Sequence, residues 1–167
     1  ISKLGPRGSP FVKTYIPGSS DAQWSVEEGT SGKTKRKLEI CSGSGDWIVE
    51  RAKADLEKGE NSSWAALEIR FDRVHEAWRK VLLNDVEKHV TIIHADAAHV
   101  KEVIPPSSVD EVFINFPEPP HTKFSSQRMI TSKFLRNLST VMVPGGTVVI
   151  ATDDFDYIRW IREDSKA

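Results

Sequence analysis

The stretch Leu38-Glu39-Ile40-Cys41-Ser42-Gly43-Ser44-Gly45-Asp46-Trp47 constrains this chain more than any other. An apolar segment carrying one carboxylate runs into a tight Gly-x-Gly turn and then into the start of a helix. Gly43 and Gly45 let the backbone turn sharply and let a ligand approach the main chain. The helix that follows aims its free N–H groups at whatever sits in the turn. A dinucleotide fingerprint needs a third glycine three positions after the second, and that position is Ile48. Such a fingerprint also cradles a pyrophosphate, which a carboxylate at Glu39 would repel. A carboxylate suits a cofactor with an ammonium group, such as the methionine end of S-adenosylmethionine. A glycine-rich turn that holds no ligand is the plain alternative.

The length of 167 residues fits one domain with a sizeable core. With 28% charged residues and a net charge of −1, the chain lacks the basic excess of a nonspecific nucleic-acid binder. Any nucleic-acid partner must therefore be held by local patches. Cys41 is the single cysteine, so there is no disulfide framework and a reducing, intracellular compartment is expected, cytoplasmic or nuclear, with an organelle left open. No apolar run reaches membrane-spanning length and no secretory signal is visible, so no membrane partner is expected.

Residues 1–32 hold Pro6, Pro10 and Pro17 with several Gly/Ser pairs, and read as an irregular lead-in with a short strand over Phe11–Ile16. Residues 33–167 read as the cofactor-binding domain. The run Lys33, Lys35, Arg36 and Lys37 invites a nucleic-acid reading. It lies at the entry of the first long strand, however, whereas ligands of open α/β sheets bind beyond the carboxyl ends. A solvated strand entry is the expectation.

After the glycine turn, Ile48, Ala52 and Leu56 recur every four residues and predict a helix over 46–58 that ends at Gly59. Trp64–Leu67 predicts a short buried strand ending in Glu68. An acidic residue about 20 positions beyond such a turn bonds a ribose hydroxyl pair, and Glu68 lies 23 past Gly45. Val74, Ala77, Trp78, Val81 and Leu82 mark a second helix. Val90–Ala95 is the next strand, with Asp96-Ala97 just past its end. Asp96 can accept from an adenine amino group while the next N–H donates to the ring; an N-cap is the equal alternative. His94, Asp96 and His99 lack ligand spacing, and no metal is expected.

Val109–Phe116 predicts a strand running into Asn115-Phe116-Pro117-Glu118-Pro119-Pro120, where flanking prolines hold a carboxylate at the mouth of the sheet. A helix over about 130–141 with Phe134, Leu135, Leu138 and Val141 inward follows. Pro144-Gly145-Gly146 is expected to turn the chain back into a fifth strand, Val148–Ala151, and Tyr157–Glu163 is expected to be helical. Five strands alternating with helices predict an α/β fold with a doubly wound, mostly parallel sheet. Right-handed crossovers bring every turn named above to one edge.

With these residues in view, the chain resembles class I S-adenosylmethionine-dependent methyltransferases, and among them the tRNA (guanine-N7)-methyltransferase family. The resemblance covers roughly residues 37 to 161. It rests on Leu38-Glu39-Ile40 with Gly43-x-Gly45-Asp46, on Leu67-Glu68-Ile69-Arg70 and on Asp96-Ala97. Asn115-Phe116-Pro117-Glu118-Pro119 is its most specific segment, supported by Arg128-Met129-Ile130 and by Ala151-Thr152-Asp153 with Tyr157. The resemblance implies a Rossmann-like fold, S-adenosylmethionine as cofactor and tRNA as substrate. It places Glu39, Gly43 and Gly45 around the methionine part, Glu68 and Ile69 at the ribose and adenine edge, and Asp96 and Ala97 at the adenine. Asn115 would stand near the sulfonium and Glu118 at the catalytic carboxylate. Lys123 and Asp153 would contact substrate, with Arg128 as a further local cation for phosphates.

Four departures mark this chain. Cys41 replaces the family's first glycine, Glu118 its usual aspartate, and Pro120 its usual tryptophan. The chain also stops at Ala167 without the family's terminal hairpin, which is expected to be absent from it. These departures keep open a non-catalytic subunit of the same fold, a protein-subunit partner, and a class I methyltransferase with another substrate. A nicotinamide oxidoreductase is disfavoured by Ile48, by Glu39 and by the lack of a Tyr-x-x-x-Lys pair.

Overall fold

A computed structural model describes residues 5–19, 24, 34–117 and 128–164. Its strands are β1 (Val12–Thr14), β2 (Lys35–Ile40), β3 (Ser62–Glu68), β4 (Val90–His94), β5 (Val109–Asn115) and β6 (Met142–Ala151). Its helices are α1 (Asp46–Glu57), α2 (Phe71–Leu83), α3 (Val100–Val103), α4 (Ser132–Val141) and α5 (Phe155–Asp164), with a 3-10 turn at Ala97–His99 before α3. The strands form one sheet in the order β1-β4-β3-β2-β5-β6, and every pairing is parallel. This is the doubly wound α/β architecture that the motif order predicts. β1 falls inside the expected lead-in and pairs Val12 with Ile92.

The winding starts at the central strand β2, steps outward through β3 and β4, then returns to place β5 on the other side of β2. The order reverses between β2 and β5, which opens a crevice beyond their carboxyl ends. Strand alternation sorts the core into two layers. Leu38, Ile40, Ala65, Leu67, Ile93, Val112 and Ile114 pack with Phe134, Leu138, Val141 and Tyr157 on one face. Trp64, Ala66 and Ile92 pack with Ile48, Ala52, Val74, Trp78 and Val81 on the other. Burial on both faces explains why these strands read as continuous apolar runs.

Three local expectations are corrected. On α1 the buried residues are Ile48, Val49, Ala52 and Asp55, while Leu56 is 40% exposed. The inward stripe follows a carboxylate because Asp55 Oδ2 accepts from Lys37 Nζ at 2.7 Å, Ser62 Oγ at 2.6 Å and Trp64 Nε1 at 2.8 Å. The basic strand entry is likewise structural. Lys37 is buried, Lys35 pairs with Glu111 at 2.7 Å, and the Arg36 N–H donates to Asp110. Finally, Pro144-Gly145-Gly146 does not separate helix from strand. α4 passes directly into β6 at Met142, and the Pro-Gly-Gly segment is a bulge inside the strand. Val109 faces Met142 and Glu111 already faces Thr147, so two steps on β5 match five on β6.

Burial works against the Asp55 charge, and the donors from Lys37, Ser62 and Trp64 outweigh it, so its carboxyl titrates below the ordinary range. A depressed carboxylate stabilises the fold above its unfolded pKa, and that contribution is lost as pH falls through the folded value. Asp55→Ala leaves the buried Lys37 ammonium with Glu60 at 3.3 Å as its nearest remaining carboxylate. We expect urea denaturation to show a loss of about 3–5 kcal/mol, with less acid sensitivity than the parent.

Candidate functional site

The turns that follow β2, β3 and β4, with the first residues after β5, lie at the carboxyl edge of the sheet. The β2–α1 turn begins with Cys41 at φ 62°, a left-handed conformation that a side chain adopts at a cost of about 1–2 kcal/mol. This is the position the resemblance assigns to a glycine, and the backbone keeps the glycine's conformation. Gly45 closes the turn at φ 77°. A Cβ there would stand 2.8 Å from the Ala77 Cβ, so the missing side chain lets the start of α1 lie against α2. That is the close-packing duty a fingerprint gives to its third glycine.

Glu68, at the end of β3, is buried and joins two turns. Its Oε2 accepts from the Gly43 N–H at 2.8 Å and its Oε1 from the Arg70 N–H at 2.8 Å. A carboxylate offers about four acceptor positions, so two remain for a ligand's hydroxyls. Asp96 follows β4 and its Oδ1 accepts from the Ala98 N–H at 2.8 Å, which makes it the N-cap of the 3-10 turn. The capping oxygen is committed and the residue remains exposed.

Glu39 is the most unusual group. It is 2% exposed, its Oε1 accepts from Asn115 Nδ2 at 3.0 Å, and its Oε2 is buried with no hydrogen-bond partner. Burial, reinforced by the nearby Glu68 charge and opposed by Asn115, pushes its pKa up to about 7. A buried carboxylate oxygen without a donor is a costly arrangement, and an ammonium ligand would supply the missing donor. The residues present therefore fit an ammonium-bearing group. Asn115, expected near the sulfonium, has its amide on Glu39.

A cavity of about 580 Å³ is lined by Gly43, Glu68, Ile69, Asp96 and Ala97 of the predicted cofactor residues, whereas Glu39, Gly45 and Asn115 do not line it. Its volume lies within the range of small-molecule sites, about 300–1,000 Å³. Cys41, Phe116, Pro117 and Met129 also line it. Phe116 is 61% exposed at φ 49°, and its N–H donates to the Ala151 carbonyl at 2.8 Å. Arg70, quoted from the sequence only as part of the Glu68 motif, and Arg73, not named there, also line the cavity. Arg70 is the N-cap of α2 and Arg73 lies in its first turn, and their spacing of three immediately after Glu68-Ile69 is the signal that would have found them.

Arg128 lies off this cavity, its guanidinium 4.8 Å from the Tyr157 ring centroid and 5.3 Å from that of Trp160. The Tyr157 hydroxyl accepts from the Ile130 N–H at 3.0 Å, which fixes that segment. Asp153 is exposed just past β6 and lines neither this cavity nor the smaller one beside Arg128. Glu118 and Lys123 lie outside the described residues. His94 Nε2 is 3.0 Å from the Ile69 carbonyl and His99 stacks on Tyr15 at 4.7 Å. Among the described residues no group of three His, Cys, Asp or Glu is placed to hold a metal, and no helix is long and apolar enough to cross a membrane.

Comparison with known proteins agrees with this fold. A family model described as putative methyltransferase matches residues 33–167. The tRNA (guanine-N(7)-)-methyltransferase of Chlamydia abortus is 33% identical over 122 residues, covering 72% of this chain and 52% of that protein. This chain spans about half the length of the curated relatives it matches. Among solved structures, a SAM-dependent methyltransferase from Aquifex aeolicus superposes with a TM-score of 0.58 at 21% identity, covering 80% of this chain and 73% of that one. A SAM-dependent methyltransferase from Thiobacillus denitrificans, solved with S-adenosyl-L-homocysteine, gives 0.52 at 20% identity, covering 70% and 41%. Both structures share the fold. The chain therefore belongs to the putative methyltransferase family, alongside the tRNA (guanine-N(7)-)-methyltransferases that it resembles.

Proposed function

We propose that this chain transfers a methyl group from S-adenosylmethionine to N7 of a guanosine in tRNA. The observation that carries the cofactor half is the buried, unpartnered Glu39 Oε2 beside a glycine turn. The substrate half is supported by relatives at about a third identity that are tRNA (guanine-N(7)-)-methyltransferases and by the Phe116-Pro117-Glu118-Pro119 segment. When bound, S-adenosylmethionine supplies a methyl group on a sulfonium.

Glu39 would hold the ammonium, with Asn115 keeping its carboxylate in place. Gly43 and Gly45 would let the methionine part lie against the main chain. Glu68 would bond the ribose hydroxyls with the acceptor positions left over from Gly43 and Arg70, and Ile69 would cover the adenine edge. Asp96 would accept from the adenine amino group through its second oxygen, and the Ala97 backbone would meet the ring. Guanine N7 already presents a lone pair, so no general base is needed, and rate comes from alignment. Glu118 would accept from guanine N1–H and the amino group, orienting the base and stabilising positive charge that develops on the ring. Phe116, exposed at the mouth, offers a face on which an extruded base can stack. Lys123, Arg128 and Asp153 would contact the RNA.

Two outcomes test this reading. Isothermal titration should show S-adenosylmethionine affinity weakening several-fold from about pH 7.5 to about pH 6 as Glu39 takes up a proton. The raised pKa also means that folded protein binds that proton more tightly than unfolded protein. Stability of the ligand-free chain should therefore fall as pH rises from 4.5 to about 7. Glu39→Gln should flatten both profiles, stabilise the ligand-free protein near neutral pH and weaken cofactor binding. The second test is Glu118→Ala, which should lower methyl incorporation into tRNA at least about 100-fold with cofactor affinity nearly unchanged. Unchanged turnover in that variant would remove Glu118 from the mechanism.

A further inference from the structure

A second cavity of about 370 Å³ adjoins the first and shares Asp96 and Met129 with it. Its remaining wall carries Arg128, Thr131, Lys133 and Asn137. Resting on the RNA reading above, the geometry points to this cavity as a subsite for a backbone phosphate of the RNA substrate, held by Arg128, Lys133 and Asn137.

The distribution of partnered and unpartnered cations carries the argument. On the rim of the first cavity, Arg70 and Arg73 are neutralised locally by Asp72 at 2.6 Å and Glu76 at 2.9 Å. At the second cavity, no carboxylate pairs with Arg128 or Lys133 among the described residues. The Arg128 guanidinium is instead held on two aromatic rings. That contact fixes the position of the fork and leaves its N–H groups to donate to an anion. Lys133 and Asn137 are four apart on α4 and so lie on one face. The Lys133 ammonium is exposed and can reach a phosphate, and the Asn137 side chain adds a neutral donor. Among the described residues, Asp96 is the one carboxylate on the wall. It stands at the boundary with the first cavity and already caps Ala98, so an anion is best accommodated toward α4. A strand that brings one base to Phe116 and Met129 passes this cavity with a neighbouring phosphate.

The test is binding of a tRNA transcript to the full chain saturated with S-adenosylhomocysteine, measured across a salt series. Lys133→Gln and the pair Lys133→Gln/Asn137→Ala should each weaken binding roughly tenfold. The slope of log affinity against log salt should fall by about 1 for each phosphate contact removed. Lys58→Gln, at the far end of α1, is the charge-matched control and should bind like the parent. Thermal melting and cofactor calorimetry should match the parent in all three. Unchanged affinity and slope in the Lys133 variants would overturn the subsite, as would an equal loss in Lys58→Gln. If the parent chain methylates tRNA while the Lys133 variants bind it normally, the subsite alone falls. If the parent binds no tRNA, the function and the subsite fall together.

Discussion

The Glu68 carboxylate is the point on which the site's geometry turns. Two backbone N–H groups from two different turns, Gly43 and Arg70, converge on its two oxygens from within a nearly closed environment. A parallel sheet aligns its strand ends but leaves each following turn to find its own conformation. Glu68 couples the turn after β2 to the turn after β3, so the walls of the cavity are set relative to one another before any ligand arrives. On the proposed reading, its spare acceptor positions would let the same residue serve the protein and a ligand together. Preorganisation of this kind lowers the ordering cost of binding.

Stability and chemistry are segregated along the strands. At the amino ends, Asp55 Oδ2 collects donors from Lys37, Ser62 and Trp64 into a buried ion pair that ties β2, α1 and β3 together. At the carboxyl end of the same β2, Glu39 is buried with half of its acceptor capacity unused. Both carboxylates are buried, yet their titration moves in opposite directions because Asp55 is given three donors, one of them an ammonium, and Glu39 a single neutral amide. Proteins place such deficits where a ligand removes them.

Much of this was legible in the chain. Gly43, Gly45, Glu68 and Asp96 fall where spacing places them, because a strand, a tight turn and a helix leave few alternatives. Periodicity failed where a polar residue took an apolar position. Leu56 continues the four-residue repeat but faces solvent, since the sheet below α1 offers an ammonium, a hydroxyl and an indole N–H that only a carboxylate satisfies. Lys37 was equally opaque, because a lysine at a strand entry looks solvated until its partner 18 residues on is seen to face it. Pro144-Gly145-Gly146 reads as a turn by composition, and composition does not distinguish a turn from a bulge. The second cavity could not be read at all, since Arg128 and Asp96 meet it from segments that only tertiary packing brings together.

The bulge in β6 has a consequence for tolerance of change. Residues 143–146 are taken up between Met142 and Thr147, and the ladder then resumes in step from Glu111↔Thr147 to Asn115↔Ala151. The bulge acts as a slack loop in a ruler. Length differences introduced there are absorbed at the far end of the strand, and the segment from Thr147 onward keeps its alignment with β5. The position at which Thr152 and Asp153 emerge is thereby insulated from insertions and deletions upstream, so drift in this part of the chain can accumulate without moving the edge at which ligands are met.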